Sequence, residues 1–135
     1  MNFTIFLKLY AIAIVTFFII DLTWLGIVAR SFYQEQMGHL IRASVNWSAA
    51  LVFYAVFVVG IVVLAVWPAV EKQSLGHAVV LGALLGLVTY AAYDLTNLAT
   101  LDGFPFKVVL VDMIWGTLLC ATVSGITYLA STRVI

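Results

Sequence analysis

Residues 47–67 read WSAALVFYAVFVVGIVVLAVW. The stretch carries no charged residue, and a tryptophan closes each end. As a helix rising ~1.5 Å per residue it is roughly 30 Å long, the thickness of a bilayer's hydrocarbon core. Trp47 and Trp67 suit the two membrane–water interfaces, where indoles are enriched. Pro68 follows and is expected to end the helix, because its ring crowds the preceding turn and it lacks an N–H. The stretch therefore reads as a membrane span, a scaffold helix that faces mostly lipid.

Three more segments approach or exceed the length of about 20 apolar residues that a spanning helix needs. They run over residues 3–29, 75–101 and 105–130. Composition agrees: the 135 residues are 65% hydrophobic and only 9% charged, against about 25% charged in ordinary soluble domains. The fold class expected is an all-α integral membrane protein, one domain over residues 1–135, with four helices in an up-down antiparallel bundle. The N-terminal MNFTIFLKLYAIAIVTFFII reads as a retained first span, since its apolar run is longer than a signal peptide's. Formal net charge is zero, so no nucleic-acid partner is expected, for want of a basic footprint. Cys120 is the single cysteine and sits in an apolar run, which suits packing.

Two of the links are short. PAVEKQ (68–73) joins spans 2 and 3, and LDGFPF (101–106) joins spans 3 and 4; such links imply antiparallel neighbours. Asp102-Gly103 is a turn pair, and Pro105 suits a first helical turn. The link at 30–46, RSFYQEQMGHLIRASVN, is longer. Tyr33, Met37, Leu40, Ile41 and Ser44 recur at helical spacing, as in a short amphipathic helix lying in the interface. Lys and Arg divide evenly between the two sides of the bundle, so the positive-inside rule sets no orientation.

The informative residues are the acidic ones inside the spans. Asp-Leu-Thr occurs at 21–23 and again at 94–96, and Asp112 lies in the fourth span. Up-down topology puts Asp21, Asp94 and Asp112 at one depth, about 10–12 Å in from the same side by helix rise. Intramembrane carboxyl groups face a bundle interior, a water cavity or a partner rather than lipid. Each also has a polar or aromatic neighbour three residues on, hence on its own helix face: Trp24, Asn97 and Trp115. These residues are expected to form one pocket between spans 1, 3 and 4. Gly82 and Gly86 make a small-xxx-small step that lets helices approach closely, and Tyr90, Tyr93, Asp94 and Asn97 continue that face. Gly26 and Gly116 suit the same close packing.

Three carboxylates without a buried cation do not all stay ionised in a low dielectric. Either one holds a proton near neutral pH or a cation fills the site: Na⁺, a divalent ion or an organic amine, the last with cation–π support from Trp24, Trp115, Tyr90 and Tyr93. Arg30 and Lys107 stand near the mouth. No cofactor motif is evident: there is no Cys/His set with zinc spacing, no P-loop and no G-x-S-x-G. Three readings stay open. One is a cation- or amine-binding protein, which with four spans would carry a substrate across only as a homo-oligomer. The second is a membrane enzyme acting on a lipid or isoprenoid, the aspartates serving as acid/base groups or Mg²⁺ ligands. The third is an accessory protein whose aspartates are interhelical hydrogen-bond glue.

The order Asp-x-x-Trp-Leu-Gly (21–26), FYQEQMGHL (32–40), WPAV (67–70), YDLTNLAT (93–100) and VDMIWG (111–116) resembles the bacterial family Domain of Unknown Function 2177, described as predicted membrane proteins. The resemblance covers residues 3–130. It implies a four-helix protein of the bacterial inner membrane and assigns no activity.

Overall fold

Asn2 starts the first helix: its side-chain oxygen accepts from the Ile5 amide, satisfying a donor that has no intrahelical partner. The computed structural model describes residues 1–135. It is all-helical, with four helices long and apolar enough to cross a membrane: α1 (Phe3–Val28), α3 (Trp47–Glu71), α4 (Leu75–Thr100) and α5 (Phe106–Val134). A short helix, α2 (Arg30–Met37), follows α1. Asn46 and Ser74 cap α3 and α4 as Asn2 caps α1. Gly103, at φ +74°, makes the turn before α5, a conformation that costs glycine little.

Helices in lipid gain little from excluding water from one another, so close packing and interhelical hydrogen bonds must hold them together. The α4–α5 seam shows this most directly. A Cβ built on Gly82 would lie 2.5 Å from the Cys120 carbonyl oxygen and 2.6 Å from Ser124 Oγ. One on Gly86 would run into the Gly116 backbone, and one on Gly116 into the Tyr90 ring. As numbers rise on α4 they fall on α5, so the pair is antiparallel. On α1 the order against α5 is also reversed: Lys8 Nζ donates to the Val134 carbonyl at 3.0 Å, while Trp24 meets Trp115 at the other end. Helix α3 packs on α1 through Phe17, whose ring contacts Tyr54 and Phe57 edge-on at centroid distances of 5.5 and 5.7 Å. Leu9, Ala13, Val58, Ile61, Val62, Leu119 and Val123 fill the space between.

Three expectations are corrected here. Pro68 does not end its helix. The turn Val62–Val66 widens instead, so that the Trp67 amide returns to the Val62 carbonyl, and the helix continues to Glu71. A π-type turn before a proline relieves the clash of its ring with the carbonyl four residues back. The amphipathic segment at 30–46 is helical only over Arg30–Met37, with turns and irregular backbone beyond Gly38. Gly26 packs against nothing: a Cβ there would meet no neighbour within 4 Å. It lies instead in a second widened turn, Trp24–Val28, where the Ala29 amide reaches the Trp24 carbonyl at 2.8 Å.

Candidate functional site

Asp21 stands just before the widened end of α1 and is 4% exposed. Its two oxygens take different donors: Tyr54 O–H from α3 at 3.0 Å and Trp115 Nε1–H from α5 at 3.2 Å. Asp112 on α5 is 8% exposed and accepts from the Tyr33 hydroxyl of α2. That hydroxyl in turn accepts from Trp24 Nε1–H at 3.2 Å. The tryptophans are thus crossed. Each was expected to flank the aspartate on its own helix; the indole of α1 serves the α5 carboxyl through Tyr33, and the indole of α5 serves the α1 carboxyl directly. Between the two sites the indoles stack, centroids 4.2 Å apart and planes 8° from parallel.

Asp94 is different. It is 0% exposed, and neither of its oxygens meets a donor from any other residue type. The antiparallel register that sets Gly86 and Tyr90 of α4 against Gly116 of α5 brings Asp94 level with the Asp112 carboxyl. Asn97, expected beside Asp94, is half-buried and makes no hydrogen bond to either Asp94 oxygen.

A cavity of about 710 Å³ opens beside these groups. Of the residues expected to form the pocket, Asp21, Tyr90, Tyr93, Asp112 and Trp115 line it; Asp94, Asn97 and Trp24 do not. Asp94 sits behind Asp112, and Trp24 behind Trp115. The pocket is not confined to spans 1, 3 and 4. Phe53, Tyr54 and Phe57 of α3 form one wall, so α3 is more than a lipid-facing scaffold. Helix α2 and the stretch after it supply Arg30, Tyr33, Gln34, Met37, Ile41 and Val45.

Two of the polar contacts, Tyr33 and Tyr54, were not singled out from sequence as site residues. Apart from Ser48 in its first turn, Tyr54 is the one hydroxyl in an otherwise apolar span, and that was the available signal. For Tyr33 the signal was weaker, because its helical spacing with Met37 fits a lipid-facing stripe equally well. Met37 and Tyr33 in fact pack on Phe104, Val108 and Val109. Burial, then the hydrogen bond to Asp112, pushes the Tyr33 phenol well above its ordinary range; it stays a donor at any working pH. Tyr33→Phe removes that donor and leaves the Trp24 N–H unpaired. Each buried loss of this kind costs about 1–3 kcal/mol. Hydrogen–deuterium exchange is therefore expected to speed up over residues 30–37 while α4 and α5 keep their protection. Unchanged exchange there would mean that the hydroxyl does not hold α2.

Together these features define a class: small, all-helical, multi-pass membrane proteins with buried acidic groups beside an apolar cavity. The family model described as "Predicted membrane protein (DUF2177)" matches residues 6–129, and the chain belongs to that family. The match takes in every residue of the constellation. No curated protein and no solved structure matches the chain.

Proposed function

We propose that the protein binds a lipophilic organic cation, an amine or its permanently charged equivalent, drawn from the bilayer into the cavity. The observation that carries this reading is the pairing of two buried carboxyls, Asp21 and Asp112, with a wall made largely of aromatic rings. Carboxylates supply charge, and ring faces attract a cation further once it is desolvated. The donors that hold Asp21 and Asp112 are hydroxyls and indoles, not bases, which leaves their negative charge available. An organic cation is favoured over a metal ion because no three His, Cys, Asp or Glu side chains are grouped closely enough to ligate one. Entry from lipid is favoured because the exposed lining residues Leu25, Phe53 and Tyr93 stand on three different spanning helices. On this reading α2 lies at the interface of a bacterial inner membrane, with α2 and residues 41–45 roofing the site. Transport would need a second copy of the chain; binding does not.

The test is a titration of detergent-purified protein with tetraphenylphosphonium, read by tryptophan fluorescence. Saturable binding is expected. Asp21→Asn and Asp112→Asn, which keep shape and remove charge, should each weaken Kd about tenfold or more, equivalent to about 1.4 kcal/mol. If both variants bind as the wild type does, the aspartates are interhelical glue and the reading fails.

A further inference from the structure

Asp94 is the one buried acid that the proposed binding site leaves unexplained. It does not line the cavity, it is fully buried, and both its oxygens lack any N–H or hydroxyl donor. A carboxylate in that position would be an uncompensated charge in a low-dielectric interior. The register of α4 on α5, with Gly82 on Cys120 and both Gly86 and Tyr90 on Gly116, continues to set Asp94 against another carboxyl, Asp112. Two carboxyl groups in contact satisfy one another when a single proton lies between them, one donating and the other accepting. Asp112 already accepts from Tyr33 and borders the cavity, so it is the natural acceptor. Asp94 is then the proton carrier.

We propose that Asp94 and Asp112 form a proton-sharing pair whose proton leaves when a cation enters the cavity, making the protein a proton-exchanging cation binder. This rests on the binding reading above. The balance is simple: one cation enters beside Asp112, the O–H bond at Asp94 breaks, one H⁺ departs to solvent, and the net charge of the site is unchanged. Opposite charge nearby favours the ionised form of a carboxyl, so an entering cation does what the proton did. Among the groups around the pair, the Asp21 carboxylate opposes loss of the proton and equally favours entry of the cation, whereas the tyrosine hydroxyls carry no charge. Asp21 approaches from α1, Tyr33 from α2, and Tyr90 and Tyr93 from α4; Tyr54 of α3 is engaged with Asp21. Arg30 is the one base on the lining, and both Arg30 and Lys107, which lies on α5, are exposed.

Tetraphenylphosphonium does not titrate, so any proton released on its binding comes from the protein. In weakly buffered solution with a pH-indicator dye, the wild type is expected to release about one proton per bound cation. Affinity should rise with pH, by up to about tenfold per unit where release occurs. Asp94→Asn should fold and still bind, because its amide N–H can donate to Asp112 as the carboxylic acid does. It should release no proton, and its affinity should be flat over the same pH range. Binding without proton release in the wild type overturns this inference and leaves the binding site standing. If the wild type binds no tetraphenylphosphonium, the binding reading falls, and infrared spectroscopy of the ligand-free protein still decides the pair. A protonated-carboxyl C=O band at neutral pH that disappears in Asp94→Asn supports the shared proton; its absence from the wild type refutes it.

Discussion

Gly86→Leu is expected to abolish the folded protein. Where residue 86 passes α5, even a Cβ would collide with the Gly116 backbone. Backbone cannot rotate out of the way as a side-chain tip can. Overpacking a filled interior costs about 1–3 kcal/mol for modest additions, so Gly86→Ala already falls in that range and a leucine exceeds it. In lipid the loss is not offset by hydrophobic association elsewhere, since the helices cohere by the fit itself. The seam also sets the height of Tyr90 and Asp94 against Asp112, so the site goes with it. Recovery of monodisperse protein from detergent, and its helical melting curve, give the readout. Gly26→Ala is the control, with an expected change within about 0.5 kcal/mol, because that position touches no neighbour. A Gly86→Leu protein that melts with the wild type would mean that α4 and α5 do not meet along this line.

Trp115→Ala should have the next largest effect, and on two properties at once. Removing a packed indole costs about 3–5 kcal/mol in protein interiors. Here the indole also stacks on Trp24, an interaction worth about 0.5–1.5 kcal/mol beyond its area, and donates to Asp21. Asp21 would keep Tyr54 alone while staying within the bundle. Thermal stability in detergent is expected to drop by several kcal/mol, with cation affinity falling alongside. Trp115→Phe separates the contributions: it keeps a ring against Trp24 and loses only the N–H, for which about 1.5–3 kcal/mol is expected when the acceptor is charged. A Trp115→Phe protein as unstable as Trp115→Ala would place the whole effect in the hydrogen bond.

The four long helices were legible because each is apolar over a bilayer's thickness, and that signal needs no knowledge of partners. The acidic residues were legible as misfits in such runs. What each aspartate touches was not, because same-helix spacing says which side chains share a face and nothing about which helix lies opposite. Trp24 is three residues from Asp21, yet its N–H goes to Tyr33. Trp115 is three from Asp112, yet it serves Asp21. Asn97, three from Asp94, gives it no hydrogen bond. The end of α3 was misread for a related reason. Proline was weighed against an ideal α-helix, whereas one wider turn at Val62–Val66 absorbs it and lets Trp67 and Val70 reach the core.

The crossed indoles also bear on how the chain comes together during synthesis. Segments emerge from the ribosome in order, N-terminal first. Asp21 enters the membrane region with α1 before either of its donors has been made. Tyr54 arrives with α3. Tyr33 and Trp24 wait together for a carboxyl that does not exist until α5 is threaded, and α5 brings Trp115 back to Asp21 in the same event. The last helix therefore completes both sites simultaneously. A nascent chain stopped before α5 carries an acid in lipid with one donor at most, and a second buried acid, Asp94, with nothing to face. Such an intermediate is the form that membrane chaperones and proteases would be able to tell from the finished protein.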